Sequence, residues 1–130
     1  HGAVYIFTRS GSTWTQRAKL VHPSPAANDN FGYAVSISGD NLLLNTSSRA
    51  VSGRLGQGSA YLYIREGTGF RFLQQITANN GAANDIFGVS VAINGNDAII
   101  GARGRTSNQG AAYIFTRQPN GTFSQTAVLT

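Results

Sequence analysis

Large hydrophobic residues alternate with small residues along one seven-residue stretch of the chain, residues 87–93. A hydrophobic period of two puts one set of side chains on each face of an extended segment, which predicts a β-strand. The pair Asn94-Gly95 follows directly and is a strong signal for a tight hairpin. A second apolar run at residues 98–100 completes a predicted strand–turn–strand unit. The large residues of the first strand are Phe87, Val89, Val91 and Ile93, and the small ones are Gly88, Ser90 and Ala92.

Two further strands are predicted after this hairpin. A loop containing glycine and arginine leads to the third apolar run, residues 111–117, and a Pro-Asn-Gly turn leads to the fourth, residues 123–129. A helix over residues 111–115 is disfavoured because this run contains aromatic and β-branched residues and follows Gly110. Four short antiparallel strands in about 50 residues predict one blade of a β-propeller.

Three sequence elements recur in the same order along the chain. The strand at residues 87–93 has an earlier copy at residues 31–37, and an Ala-Asn-Asp tripeptide precedes both copies. A Gly-x-x-Tyr element and an aromatic-x-Gln element each occur three times. The first occupies residues 2–7, 58–63 and 110–115, and the second occupies residues 14–16, 72–74 and 123–125. Recurrence at a fixed period is the signature of a repeat architecture, so the fold is predicted to be all-β and built from propeller blades.

The repeat divides the chain into about two and a half blades of one propeller. Residues 1–20 are predicted to form strands three and four of a half-blade, and residues 21–77 and 78–130 to form complete blades. Strand one is expected nearest the propeller axis, where its small residues let neighbouring backbones approach and its large residues fill the space between blades. Because closed propellers have about four to eight blades, we expect this chain to belong to a larger ring or to be completed by other chains.

The composition favours short strands and turns over helices. Only 12% of the 130 residues are charged and 16 are glycine, which disfavours long solvated helices. No cysteine is present, so disulfides and thiolate metal sites are excluded. No apolar run approaches the ~18 residues of a membrane-spanning helix, and no membrane insertion is expected. The formal charge of +5 comes from scattered residues, so no specific nucleic-acid partner is expected.

The repeated elements resemble the FG-GAP repeat, the blade unit of the integrin α-subunit head and of many secreted or surface bacterial proteins. Phe87-Gly88, residues 99–102 and residues 110–115 carry the resemblance, which extends over nearly the whole chain. Arg103 stands where the family has proline, and residues 45–47 replace its Gly-Ala-Pro in the earlier copy. The resemblance implies a ring of roughly seven blades, a secreted or cell-surface location, and a role in protein binding or cell adhesion.

The resemblance does not extend to calcium binding. Integrin-type blades often bind calcium through a loop of alternating Asp and Asn between strands one and two. Only short turns, residues 38–41 and 94–97, occupy that place, and neither supplies the about six to eight oxygens that calcium prefers. Asp40 and Asp97 are interpreted as turn residues, and no metal site or other cofactor is predicted.

A candidate ligand site lies on one face of the predicted propeller. The loops between strands two and three share this face with the loops between strands four and one. Clustered loop arginines can bind carboxylate, sulfate or phosphate groups; the alternative is that they are ordinary solvent-exposed residues. The predicted ligand-binding residues are Arg49, Arg54, Arg103, Arg105 and His22.

Other repeated residues are interpreted as structural. Asp29 and Asp85 occupy one repeat position and are expected to anchor turns rather than to act as an acid–base pair. Arginines at the end of strand three are expected to cover apolar surface with their stems, and the paired aromatic residues of that strand are expected in the core. The arginines are Arg9, Arg65 and Arg117. The aromatic pairs are Tyr5 with Phe7, Tyr61 with Tyr63, and Tyr113 with Phe115.

No catalytic motif is recognised, so the chain is not expected to be an enzyme and no catalytic residue is predicted. The leading hypothesis is a non-enzymatic interaction or scaffold module at the cell surface or outside the cell, with a protein or glycan ligand. One alternative is a lectin-like or polyanion-binding module that uses the arginine-rich loops. Another is a structural subunit that self-associates through open blade edges into fibres or larger assemblies.

Overall fold

The computed structural model of the chain describes residues 1–130 and is all-β, with ten strands in three antiparallel sheets. The two-stranded sheet, called the half-blade below, contains β1 (Val4–Ser10) and β2 (Thr13–Leu20). The first blade contains β3 (Val35–Ser38), β4 (Asn41–Thr46), β5 (Ser59–Glu66) and β6 (Gly69–Ile76). The second blade contains β7 (Phe87–Asn94), β8 (Asp97–Ala102), β9 (Ala111–Arg117) and β10 (Phe123–Leu129). Consecutive strands pair within each sheet, which confirms the prediction of four-stranded antiparallel blades.

Hydrophobic side chains between neighbouring sheets form two cores. The smaller core lies between the half-blade and the first blade, where Val4 and Ile6 pack with Leu42, Leu44 and Tyr61. The larger core joins the two blades and includes residues from β4, β5 and all four strands of the second blade. Both faces of the first blade are therefore covered, which explains how a chain with few charges can bury so many apolar residues.

The innermost strands approach closely, as the small residues predict. Backbone N–H groups of Ile93 and Gly95 on the second blade donate hydrogen bonds to the hydroxyls of Ser36 and Ser38 on the first, at 3.1 and 3.0 Å. Gly88 has a φ of +91°, and a Cβ added there would lie 2.9 Å from the carbonyl oxygen of Ser59. Both the left-handed backbone and the contact require glycine at this position.

The prediction that the first blade's strand one begins at Phe31 is wrong, because β3 begins at Val35. The backbone of Gly32 donates instead to the carbonyl oxygen of Asn45 at 2.9 Å. The side chain of Asn45 accepts a hydrogen bond from the N–H of Ala34 at 2.8 Å. One backbone hydrogen bond and one side-chain hydrogen bond to Asn45 thus take the place of regular strand pairing over residues 31–34.

The register of strands three and four corrects one of the repeated elements. Arg65 pairs with Phe70, as Arg117 pairs with Phe123 and Arg9 pairs with Trp14. The second aromatic of the strand-four element is therefore Phe70, whereas the sequence pattern had placed it at Phe72. All three strand pairs have a bulge beyond this point, so the bulge does not distinguish the copies. The ambiguity arises because β6 contains two aromatic residues two positions apart, Phe70 and Phe72, and only the strand pairing shows which one is equivalent.

The loop after β8 contains a single irregular helical turn, α1 (Arg105–Asn108), where the sequence predicts a loop. Thr106, Ser107 and Asn108 have left-handed φ values of 51°, 54° and 71°. Such values are unfavourable for residues with a Cβ, so this turn is held by its hydrogen bonds: the N–H groups of Asn108 and Gly110 donate to Gly104 and Arg105. No helix in the chain has the length and hydrophobicity needed to cross a membrane.

Candidate functional site

The loops that carry the predicted site residues meet at one end of the blades. This end, called the loop end below, comprises residues 21–34, 47–58, 77–86 and 103–110. Three backbone hydrogen bonds join the loop of residues 47–58 to the loop of residues 77–86. In these bonds the N–H groups of Asn84, Ile86 and Phe87 donate to the carbonyl oxygens of residues 55–57 at 2.8–3.0 Å. The loop end is thus a connected surface rather than a set of separate turns.

Two of the predicted arginines form ion pairs with buried aspartates. Arg49 donates to Asp29 at 2.5 Å, and Arg105 donates to Asp85 at 3.2 Å. Each carboxylate also accepts a backbone hydrogen bond at 2.8 Å from the residue three positions earlier. The prediction that the aspartates anchor turns is confirmed, but the arginine partners were missed. The signal was available, since each arginine follows its aspartate by the same 20 residues in both repeats.

His22 is buried and is part of a small polar network. The N–H of Ser24 donates to its Nδ1 at 3.0 Å, and its Nε2 lies 3.2 Å from the hydroxyl of Tyr61. Burial and, to a smaller extent, the positive charge of Arg49 lower the pKa of His22 below its ordinary value of 6.5. The imidazole is therefore neutral at pH 7 and adds no charge for binding an anion.

His22 and Arg49 line the same cavity, which has a volume of 190 Å³. Its wall is partly aromatic and partly polar. The hydrogen bonds of His22 and Arg49 join them to Tyr61, Ser24 and Asp29. The cavity is lined by His22, Pro23, Arg49, Tyr61, Phe72 and Gln75.

Arg54 and Arg103 are exposed and have no carboxylate partner. Arg54 contacts the side-chain oxygen of Gln57 at 3.3 Å. Arg103 lines a separate depression with Ile86 and Asn108. The five predicted residues therefore share the loop end but not one pocket, and their binding of an anionic ligand stays a prediction.

Leu55 was not identified by the sequence pattern, yet its side chain is 72% exposed. It follows a tight turn in which Val51 and Arg54 exchange two backbone hydrogen bonds, at 3.0 and 3.2 Å. Ser52 and Gly53 at the centre of this turn have φ values of +50° and +81°, the signs that a type I′ hairpin turn requires. A large apolar residue in a loop of Gly, Ser, Arg and Gln was the signal that sequence reasoning passed over.

The opposite end of the blades carries the turns between strands one and two. Arg65 contacts Asp40 at 3.1 Å and stacks over the ring of Phe70. Arg117 repeats both contacts, with Asn96 at 3.0 Å and with Phe123. The prediction that these arginines cover apolar surface is confirmed, and they also clamp the one–two turn to strand three.

The aromatic pairs of strand three differ between complete and incomplete blades. Tyr61, Tyr63, Tyr113 and Phe115 are buried, as predicted, and burial raises the pKa of Tyr63 and Tyr113. The prediction is wrong for the half-blade, where Tyr5 and Phe7 are about half exposed, because no sheet covers that face of β1.

A search of curated proteins finds no match to the chain. A family model for the FG-GAP repeat matches residues 14–63 and 70–115, which together make up most of the chain. Each matched segment begins in strand four of one sheet and ends in strand three of the next, so the sequence repeat is offset from the structural blades. The chain belongs to the FG-GAP repeat family, and its sheets are blades of a β-propeller.

Proposed function

We propose that the chain is a non-enzymatic module that binds a protein partner outside the cell or at its surface, using its loop end. FG-GAP repeats form propeller-type interaction modules and are typical of extracellular or surface proteins. Two ion pairs at the loop end further support the proposal, because they fix the loops that would contact a partner. The two aspartates are each engaged by an arginine and a backbone N–H, which suits them to holding loops in place.

The observation that carries this proposal is the rigid presentation of Arg54 and Leu55. Arginine and large apolar residues that are held in place are effective anchors at protein interfaces. The preceding turn has two backbone hydrogen bonds, and the carbonyl oxygen of Leu55 accepts a third from Asn84 in the next blade. A loop that is already ordered loses little conformational entropy when a partner binds.

The test is binding to a defined panel of purified cell-surface and extracellular-matrix proteins, measured by surface plasmon resonance. We expect Leu55→Ser and Arg54→Ala each to weaken binding of the best partner by about tenfold or more. Leu129→Ser is the matched control, because Leu129 is also exposed but lies at the end of β10. If both loop variants bind that partner as tightly as the wild type, the loop end is not the interface.

A second candidate function is binding of a sulfated or phosphorylated polymer, and the two unpaired arginines favour it. Arg54 and Arg103 are exposed without a carboxylate partner, so neither guanidinium charge is neutralised by an ion pair and both can attract anionic ligands. Retention on a heparin column should fall for the Arg54→Ala/Arg103→Ala double variant. It should fall less for Arg17→Ala/Lys19→Ala, which removes the same charge from the half-blade. Equal losses would show only a general charge effect.

A further inference from the structure

The cavity that His22 and Arg49 line is also lined by Tyr61, whose hydroxyl proton has no acceptor in the chain. The Nδ1 of His22 accepts the N–H of Ser24 at 3.0 Å, so the single proton of the neutral imidazole is on Nε2. Nε2–H therefore donates to the hydroxyl oxygen of Tyr61 at 3.2 Å, and this is the only hydrogen bond of that hydroxyl. The O–H donor of Tyr61 is thus unused, although the residue is only 5% exposed.

The equivalent tyrosine of the second blade has an acceptor for its proton. The hydroxyl of Tyr113 donates to Oδ1 of Asn80 at 3.1 Å. Ser24 occupies the repeat position of Asn80, and its side chain makes no hydrogen bond to Tyr61. A buried donor without a partner costs free energy. The first blade therefore leaves open a hydrogen bond that the second blade makes internally.

A second pair of repeat positions also differs at this cavity. In the second blade, the N–H of Asn79 donates to Oε1 of Gln125 at 2.9 Å and joins the loop to strand four. Pro23 stands in the place of Asn79 and has no N–H. Phe72 stands in the place of Gln125, because each lies opposite the second aromatic residue of strand three. The first blade thus has two apolar walls where the second blade has a hydrogen bond.

Two further side chains at the cavity have unused hydrogen-bonding groups. In the guanidinium group of Arg49, only Nη1 makes hydrogen bonds, to Ser24 and Asp29, so the N–H groups of Nε and Nη2 have no acceptor. Nε2 of Gln75 donates to the hydroxyl of Ser59 at 3.0 Å, whereas its Oε1 accepts no hydrogen bond. Unused donors and an unused acceptor therefore lie around one partly aromatic cavity.

We propose that this cavity binds one ring of an uncharged sugar. A cavity of about 150 Å³ holds a benzene ring, so 190 Å³ is enough for one six-membered ring. A sugar hydroxyl both donates and accepts, so sugar hydroxyls can engage the O–H of Tyr61, the guanidinium of Arg49 and Oε1 of Gln75. The C–H face of the ring packs against Phe72, which is 51% exposed.

Other ligands of the same size leave one of these groups without a partner. A carboxylate has no proton for Oε1 of Gln75, and it gains little from the charge of Arg49, which Asp29 already balances at 2.5 Å. A purely apolar ring leaves the O–H of Tyr61 without an acceptor, which costs free energy at a buried site. An uncharged ring with several hydroxyls is the class of ligand that satisfies all three groups.

The experiment titrates the chain with the methyl glycosides of glucose, galactose, mannose and N-acetylglucosamine, followed by saturation-transfer NMR and by amide chemical shifts. We expect saturable binding of one or more of them at a single site, with a dissociation constant of about 1 mM, as is usual for so small a ligand. The amides of Ser24 and Gln75 should be among those that shift. Glucuronate, the charged counterpart of glucose, should bind no more tightly than the neutral glucoside.

Two tyrosine variants test the hydroxyl that carries this proposal. Tyr61→Phe should weaken binding about tenfold, because it removes one hydrogen bond to the sugar and retains the ring. Tyr113→Phe is the matched control, since it removes the same group from the second blade, where the hydroxyl donates to Asn80. It should bind the sugar as tightly as the wild type.

Ser24→Asn tests the same hydroxyl without removing it. This variant places an acceptor at the position from which Asn80 engages Tyr113, so the proton of Tyr61 should be satisfied by the chain itself. We expect the affinity for the sugar to fall about tenfold or more while the urea midpoint is unchanged or higher. Leu55→Ser should bind the sugar like the wild type, so this proposal and the proposed function can fail separately.

The proposal is overturned by any of three results. These are no saturable binding of any glycoside up to about 50 mM, equal affinity of Tyr61→Phe and the wild type, and tighter binding of glucuronate than of every neutral glycoside. The third result, if Tyr61→Phe abolishes it, would assign the cavity to a carboxylate. If Tyr61→Phe fails to fold, Ser24→Asn decides instead, because unchanged affinity in that variant also overturns the proposal.

Discussion

Asp85 and Arg105 form an ion pair that fixes the loop before β7 against the loop after β8, with 3.2 Å between Oδ2 and Nη1. The side chain of Asp85 is 4% exposed and that of Arg105 is 23% exposed. The backbone N–H of Gly104 also donates to the carbonyl oxygen of Asp85 at 3.0 Å. Because Asp29 and Arg49 form the same pair one blade earlier, the contact is a property of the repeat.

Replacement of this carboxylate should destabilise the second blade. Asp85→Asn keeps the size of the side chain but removes the charge that pairs with Arg105. We expect a loss of about 2 kcal/mol in the free energy of unfolding, the usual range for a hydrogen bond to a charged group. Urea denaturation monitored by circular dichroism measures this loss. Asp97→Asn is the control and should change stability by less than about 0.5 kcal/mol, because Asp97 is exposed at the start of β8 and its side chain makes no ion pair.

Gly88→Ala should be more destabilising than the same change at a turn glycine. The left-handed φ of +91° costs about 1–2 kcal/mol once a Cβ is present, and contact of that Cβ with the carbonyl of Ser59 costs about 1–3 kcal/mol more. Gly95→Ala, with a φ of +59° and open space around it, should show only the first cost. Equal losses for the two variants in thermal or urea unfolding would show that close approach of the blades does not require Gly88.

Gln74 links the two blades through the backbone of Phe123. Its Nε2 donates to the carbonyl oxygen of Phe123 at 2.8 Å, and its Oε1 accepts from the N–H of the same residue at 2.7 Å. Gln74→Leu retains similar volume but leaves both backbone groups without this partner, so we expect a loss of about 2 kcal/mol in unfolding free energy. Gln75→Leu removes one hydrogen bond, to Ser59, and should cost clearly less. A larger loss for Gln75→Leu would contradict this role of Gln74.

The sequence predicts the elements of this fold well because the signals for them are local. The bounds of β9 and β10 match the predicted runs, since alternation and turn residues act over a few positions. The misplaced start of β3 has a different origin, because the competing partner, Asn45, lies on the next strand. The hydrogen bond from Ala34 to the side chain of Asn45 does not change the pattern of hydrophobic residues over residues 31–37, so that pattern cannot reveal it.

The candidate site was less predictable for a related reason. The sequence shows that several arginines lie in loops, but not which of them meet a carboxylate. Arg49 and Arg105 are engaged by aspartates 20 residues away, and this depends on how two loops fold against each other. The exposure of Leu55 depends in the same way on the turn before it. Repetition in the sequence could have identified the Asp–Arg pairs, because Asp and Arg recur at the same spacing in both blades. It could not have identified Leu55, which has no counterpart in the second blade.

The neutral, buried state of His22 predicts a pH-dependent stability. Its pKa in the folded chain lies below the ordinary 6.5, chiefly because of burial, so the unfolded chain binds the proton more readily. The contribution of neutral His22 to the free energy of unfolding is therefore fully present above pH 6.5 and decreases as the pH drops below that value. It stops decreasing once the pH is below the lowered pKa of His22 in the folded chain. His22→Ala, which places at this position the residue found at Ala78 in the second blade, should reduce the difference in urea midpoint between pH 8 and pH 5. His1→Ala is the control, since His1 is exposed, and it should preserve the difference. If wild type and His22→Ala lose equal stability between these two pH values, His22 is not the group that resists protonation.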